Sequence, residues 1–151
     1  MSDARWIEIE DATASAVKHF SGAVSIFSRL AAAEDRYLVE MAFLHAMLAG
    51  HTSLESALLR ILELLGEHAP TGPRSHADLI ARVTRPLDDR PAILNGQAAA
   101  AAAETRRFRS IAMQAYDNFD EARAAKAVEA AKRLSSTLTT EIALFRRAID
   151  P

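Results

Sequence analysis

Apolar residues recur along most of the chain at intervals of three and four, which is the period of an amphipathic helix. In the first such segment the repeat consists of Val17, Phe20, Val24, Phe27 and Leu30. The same period resumes after residues 34–36 and continues to Gly50, a residue type suited to ending a helix. The pattern predicts one helix over about residues 11–33 and a second that ends at Gly50.

Turn and capping residues predict the next boundaries. Thr52, followed three residues later by Glu55, has the spacing of a capping box and predicts a third helix over about residues 54–67. Residues 68–74 contain two prolines and one glycine, which indicates a turn-rich connector. Ser75 is then suitably placed to cap a short helix.

The last third of the chain is also helical in character. Six consecutive alanines at residues 98–103 have the highest helix propensity and predict a long helix over about residues 95–116. Residues 117–120 offer capping groups for a final helix that continues through Phe145. Since no segment alternates like a half-buried strand, we expect an all-α antiparallel bundle of four long helices plus a short one. Residues 1–151 are expected to form a single domain.

Composition excludes several classes of function. The chain has no cysteine, so disulfides and thiolate chemistry are absent, and no apolar run approaches the roughly 18 residues of a membrane span. We therefore expect a cytoplasmic protein. The five glycines form neither a phosphate-binding loop nor a Gly-x-Ser-x-Gly elbow, which argues against nucleotide binding by that route and against hydrolase chemistry.

The small net charge of −2 hides an uneven distribution. Residues 1–103 have a net charge of −4, whereas residues 104–151 have a net charge of +2. A basic final third is either ordinary surface variation or the footprint for a polyanion such as nucleic acid. Charge alone leaves both interpretations open.

The five histidines raise the question of a metal site. A di-iron bundle needs a Glu-x-x-His pair on each of two helices, and the chain contains none, so we expect no metal and no cofactor. His45 has apolar neighbours and is expected to be partly buried and hydrogen-bonded. Solvated or capping roles are expected for the other four histidines, His19, His51, His68 and His76.

One segment, from Arg106 to Tyr116, stands out for its chemistry. Three arginines, Arg106, Arg107 and Arg109, approach the predicted end of a helix that also carries Tyr116. At about 100° per residue, Arg109 and Tyr116 share nearly the same face. This cluster is either a site for an anionic ligand or a solvated basic face with a tyrosine at the edge of the bundle.

The segment resembles the motif of the HepT-like branch of the HEPN superfamily, in which an arginine, four residues, a histidine, one residue and a tyrosine end this helix. Arg109 occupies the arginine position and Tyr116 the tyrosine position, while Gln114 stands where histidine is usual. The resemblance extends upstream, where His45 is followed ten residues later by Glu55 as in the second-helix signature of the family.

The resemblance implies a helical bundle that forms homodimers, with two copies of the motif meeting in a cleft to make a metal-independent ribonuclease. It also implies a partner, a small MntA-like nucleotidyltransferase antitoxin that transfers AMP to the motif tyrosine, here Tyr116. On this basis Arg109 and Gln114 are the candidate catalytic residues, and Arg106 and Arg107 are candidates for binding RNA phosphates.

Gln114 changes what activity is expected. An amide neither accepts nor donates a proton near neutral pH, so general acid–base catalysis at this position is reduced or lost. Gln114 also points about 140° away from Arg109 on a straight helix, so a second chain is needed to complete the site. The alternative function is a non-catalytic helical module that binds a nucleotidyltransferase or a small ligand.

Overall fold

The computed structural model describes residues 3–113 and 117–150, which form five helices. In chain order these are α1 (Ala4–Phe27), α2 (Arg36–Leu64), α3 (Ser75–Val83), α4 (Gly96–Ala112) and α5 (Glu121–Ile149). The prediction of an all-α bundle with four long helices and a short one is confirmed, although the two helices that the sequence delimited on either side of Gly50 are the single helix α2. None of the described helices combines the length and apolarity that crossing a bilayer requires.

The four long helices form an antiparallel bundle. Contacts join α1 to α2, α2 to α4, α4 to α5 and α5 back to α1, while α3 lies against α2 and α4. Each pair of neighbouring long helices runs antiparallel. Between α1 and α2, for example, Glu8 contacts Arg60 and Ser15 contacts Ser53. The apolar stripes meet inside this ring and form the core.

Gly50 lies in the middle of α2 and does not end a helix. A Cβ atom at this position would lie only 2.7 Å from Cδ1 of Phe20 on α1, so the glycine permits close packing of the two helices. The predicted boundary at Gly50 and the capping box of Thr52 and Glu55 are therefore wrong. Packing against α1 and α4 keeps the helix continuous where local signals favour an end.

The residue that does end α2 is Gly66. Its φ of 74° lies in the left-handed region, which glycine adopts without a steric penalty. The amide of Glu67 donates to the carbonyl of Leu62 at 2.9 Å, and the amide of Gly66 donates to the carbonyl of Glu63 at 3.0 Å. This pair of hydrogen bonds is a Schellman motif and satisfies carbonyls that the helix end leaves free.

Other helix ends differ from the predictions by several residues. The first helix begins earlier than predicted, at Ala4, where the carboxylate of Asp3 accepts from the amide of Arg5 at 2.8 Å. It ends at Phe27 rather than near residue 33. Ser75 is the first residue of α3 and does not cap it. The predicted capping of the last helix is confirmed at Asp120.

A buried arginine organises the connector between α3 and α4. Only 2% of the Arg90 side chain is exposed, and its guanidinium pairs with the carboxylate of Glu67, with Nη2 at 3.1 Å from Oε1. The same guanidinium donates to the carbonyls of Arg82, Arg85 and Pro91. The hydrogen bond from Arg90 lowers the pKa of Glu67. These bonds fix the loop that leads into α4.

Candidate functional site

The arginines of the Arg106-to-Tyr116 segment occupy the last two turns of α4. Arg107 is exposed, and its Nη2 lies 2.8 Å from Oε2 of Glu104 on the same helix. Arg106 and Arg109 are half-buried, and neither guanidinium lies within ion-pair distance of a carboxylate among the described residues. The three arginines therefore differ in environment, although the sequence places them side by side.

Gln114 and Tyr116 lie outside the described residues. The structure describes α4 up to Ala112 and its C-cap residue Met113, and then resumes at residue 117. The roles predicted for Gln114 and Tyr116 therefore stay predictions.

Aromatic packing fixes the end of α4 in the bundle. Phe43 on α2 lies at the centre of this cluster, with its ring centroid 5.4 Å from that of Phe27 and 5.8 Å from that of Phe108. Its third aromatic neighbour, Phe119, lies just before α5 at 6.1 Å. Edge and tilted contacts of this kind stabilise a core beyond the burial of apolar area. The turn of α4 that carries Arg109 is therefore held against the start of α2.

A buried hydrogen bond joins α2 to α4 one turn before Arg109. His51 is completely buried, and its Nδ1 lies 2.8 Å from Oγ1 of Thr105. The hydroxyl of Thr105 donates to the carbonyl of Ala102 at 3.1 Å, so its oxygen is available to accept from the Nδ1–H of His51. Thr105 therefore faces α2, and Arg109, four residues later, lies on nearly the same side of α4.

Glu55 continues this network towards α3. Its Oε2 accepts a hydrogen bond from Nδ1 of His76 at 2.6 Å and lies 3.6 Å from Nε2 of His51. Burial acts to raise the pKa of Glu55, but the hydrogen bond from His76 and the closeness of both imidazoles outweigh it, and the pKa lies below its ordinary value. An ionised carboxylate thus lies between two imidazoles, in a site from which water is largely excluded.

These contacts cross three helices, from His76 on α3 through Glu55 and His51 on α2 to Thr105 on α4. The 3.6 Å between Glu55 and Nε2 of His51 is longer than a hydrogen bond, and this buried nitrogen has no hydrogen-bond partner among the described residues. Imidazole and carboxylate are also ligand types for zinc. Within residues 3–113 and 117–150, however, the geometry provides no group of three such side chains arranged around a common metal position.

Sequence reasoning missed the roles of two histidines in this network and misassigned a third. His51 is buried and His76 is bonded to a carboxylate, whereas both were expected to be solvated or capping. His45, expected to be partly buried, is exposed, because its position on α2 faces away from α1 and α4. The available signal was the four-residue spacing of His51 and Glu55, which indicates a pair only if the helix continues through Gly50.

Comparison with known protein families gives one match. A family model described as HepT-like protein matches residues 42–149, which include most of α2 and all of α3, α4 and α5. No curated protein and no solved structure matches the chain.

Proposed function

The chain belongs to the HepT-like protein family of the HEPN superfamily, and we propose that it is the toxin component of a cytoplasmic toxin–antitoxin pair with RNA as its substrate. In this proposal residues 1–151 form a single domain. Helix α1 lies before the matched range, but it packs along α2 and α5 and completes the bundle.

The observation that carries the proposal is the environment of Arg109. Arg109 is half-buried on nearly the side of α4 that faces α2, and its guanidinium has no carboxylate partner among the described residues, whereas the neighbouring Arg107 is paired with Glu104. An unpaired, partly desolvated guanidinium binds a phosphate bidentately and stabilises charge that develops on it. Arg106, three residues earlier, helps to bind the same phosphate. Arg107 adds to the positive potential at this end of α4.

We propose that Gln114 reduces the ribonuclease activity without removing RNA binding. Its amide hydrogen-bonds a phosphate or a ribose hydroxyl but transfers no proton at neutral pH. The rate lost with such a group is typically 10²–10⁴-fold. The protein then retains the RNA site of its family with a weakened chemical step.

A homodimer that forms at the end of the bundle where α2 begins and α4 ends is consistent with the apolar side chains exposed there. Tyr37 and Leu38 at the start of α2 are 66% and 61% exposed, and Met113 at the end of α4 is 46% exposed. An ion pair between Arg36 and Glu121 places the start of α5 at the same end. Apolar groups exposed together are typical of surfaces that bind another protein, and here the proposed partner is a second copy that completes the site.

Restoring the histidine tests this function. Wild-type protein, Gln114→His and the double variant Gln114→His/Arg109→Ala are incubated with single-stranded RNA, and both binding and cleavage are measured. We expect Gln114→His to cleave about 10²–10⁴-fold faster than wild type. Arg109→Ala should weaken RNA binding at least about tenfold, because a hydrogen bond to a charged group is lost.

The matched control is Arg60→Ala, since Arg60 is an exposed arginine on α2 paired with Glu8 on α1. It should leave RNA binding and cleavage unchanged. If neither wild type nor Gln114→His binds or cleaves RNA, the ribonuclease proposal is wrong, and the non-catalytic module becomes the better account.

The proposed antitoxin has its own test. Co-expression with a minimal nucleotidyltransferase, followed by mass spectrometry, should show one added AMP on Tyr116. The chain has two tyrosines, and the exposed Tyr37 is an internal control that should stay unmodified. AMP on Tyr37, or on neither tyrosine, would contradict the proposed pairing.

A further inference from the structure

The pair formed by His76 and Glu55 has the geometry of a general base with an orienting carboxylate. Nδ1 of His76 donates to Oε2 of Glu55 at 2.6 Å, while 44% of the His76 side chain remains exposed. A buried carboxylate in this position fixes the ring orientation and the tautomer, and it stabilises the imidazolium that forms when the ring accepts a proton. The tautomer leaves Nε2 with a lone pair available to a ligand.

The other histidines lack this combination. His51 contacts the same carboxylate but is completely buried, so it cannot reach a ligand in solution. His45 and His68 are exposed and His19 is partly buried, and within the described part of the chain none of these three has a carboxylate partner. Of the five histidines, His76 is therefore the one suited to proton transfer at the surface.

The positions of His76 and Arg109 are related through the contact between α2 and α4. His51 and Thr105 are in contact where α2 and α4 run antiparallel, with Glu55 one turn from His51 on α2 and Arg109 one turn from Thr105 on α4. These two steps lead in opposite directions, so the attachment points of Glu55 and Arg109 are separated by about 12 Å along the bundle. The 2′-hydroxyl and 3′-phosphate of one ribose are adjacent groups, so the proposed site requires the side chains of Arg109 and His76 to extend towards each other across this distance.

We propose that His76 is a catalytic residue of this protein, acting as the general base that removes the proton of an RNA ribose 2′-hydroxyl while Arg109 holds the adjacent phosphate. The proposal rests on the ribonuclease function above and assigns the proton transfer from the 2′-hydroxyl to His76, whereas the transfer that Gln114 does not perform is the one to the 5′-oxygen. Glu55 is a positioning residue for His76, and His51 positions Glu55 from the buried side.

The reaction is a transesterification. Nε2 of His76 takes the proton from the 2′-hydroxyl, the 2′-oxygen forms a bond to phosphorus, and the bond from phosphorus to the 5′-oxygen breaks. The electron pair of that bond goes to the 5′-oxygen, which takes a proton from water, and His76 returns its proton to solvent. The products are a 2′,3′-cyclic phosphate and a 5′-hydroxyl end.

The test compares His76→Gln with His68→Gln, a control at an exposed histidine whose side chain lies in the connector after α2. Both variants are made in the full chain and checked by circular dichroism and thermal unfolding. The RNA is a synthetic single strand with one cleavable ribonucleotide among 2′-deoxynucleotides. Cleavage rate is measured from pH 5 to pH 8, and the dissociation constant is measured on an RNA analogue that lacks the 2′-hydroxyl.

We expect His76→Gln to cleave about 10²–10⁴-fold more slowly than wild type, with a dissociation constant within about twofold of it. The wild-type rate should rise with pH as the imidazole loses its proton, and this rise should be absent in His76→Gln. The titratable groups facing His76 from α2 are Glu55 and His51. Glu55→Gln should therefore displace the rise along the pH axis, which a purely structural role would not do.

The outcomes separate the two proposals. If wild type cleaves and His76→Gln cleaves at the same rate with the same pH profile, the role of His76 is refuted and the ribonuclease function stands. If wild type binds RNA through Arg109 but does not cleave it at any pH, the role of His76 is again refuted. Failure of wild type and Gln114→His to bind or cleave RNA would overturn the proposed function itself.

Discussion

His51 donates a hydrogen bond to Thr105 across the interface of α2 and α4, with Nδ1 and Oγ1 2.8 Å apart and both residues buried. The bond joins two helices whose residues are 54 positions apart in sequence. Since Arg109 and Glu55 each lie one turn from it, this contact sets the spacing between the proposed phosphate-binding group and the histidine–carboxylate pair.

Replacing Thr105 with valine should destabilise the fold by about 1–3 kcal/mol, because the buried N–H of His51 loses its acceptor. The matched control is Thr137→Val. The hydroxyl of Thr137 also donates to a carbonyl within its own helix, that of Arg133, but it receives no bond from a buried side chain among the described residues. Urea unfolding measures both variants. Equal stabilities for Thr105→Val and Thr137→Val would show that the His51 contact contributes little.

Replacing Glu55 with glutamine should cost about 2 kcal/mol at neutral pH, because the charge-assisted hydrogen bond from His76 and the carboxylate facing the buried His51 are lost. The pKa of Glu55 is lower in the folded state than its ordinary value, so its ionisation stabilises the fold above about pH 4.3. That stabilisation is lost as the pH falls through the folded-state pKa.

The difference in unfolding free energy between wild type and Glu55→Gln should therefore shrink between pH 5 and pH 3. Glu63→Gln, an exposed position on the same helix, is the control and should show a small difference at every pH. If the difference in unfolding free energy between wild type and Glu55→Gln stays constant over this interval, the proposed ionisation of Glu55 is contradicted.

Replacing Arg90 with methionine should destabilise the protein by about 3 kcal/mol, because Glu67 loses its hydrogen-bonded partner and keeps only Arg82 at 3.7 Å. The carbonyls of Arg82, Arg85 and Pro91 also lose their donor. Arg60→Met removes an arginine–glutamate pair that is exposed to solvent, the one between Arg60 and Glu8. That variant should lose less than about 1 kcal/mol. Chemical denaturation of the two variants side by side measures the effect of burial on an ion pair.

The two glycines inside long helices should respond in opposite directions to alanine. Gly22 has open space where a Cβ would be added, so Gly22→Ala should stabilise α1 by up to about 1 kcal/mol. At Gly50 the added Cβ would lie 2.7 Å from the ring of Phe20, so Gly50→Ala should destabilise by about 1–3 kcal/mol. If thermal unfolding shows that both variants are more stable than wild type, or that both are less stable, this packing account is contradicted.

Much of the candidate site was accessible to sequence reasoning, because it depends on a local motif. Arg106, Arg107 and Arg109 were identified from their positions near a helix end, and the structure places all three in the last two turns of α4. The burial of Arg109 was not predictable, because it depends on how α4 is rotated against α2, which packing decides. The pairing of Arg107 with Glu104, by contrast, joins residues three apart on one helix.

The network of His76, Glu55 and His51 was not predicted, for a related physical reason. Residues His51 and His76 are 25 positions apart, and only the docking of α3 against α2 brings them to the same carboxylate. In addition, the local signal at Glu55 was interpreted as a helix start, so the four-residue spacing with His51 carried no structural meaning.

The sequence by itself determined the all-α class and the family, because apolar periodicity and the spacing from Arg109 to Tyr116 are properties of neighbouring residues along one chain. Tertiary structure alone decided that α2 continues through Gly50 and ends at Gly66, and that His51 is buried while His45 is exposed. Those outcomes depend on contacts such as Gly50 with Phe20 and His51 with Thr105. The free energy of such contacts outweighs local helix signals only once the bundle has assembled.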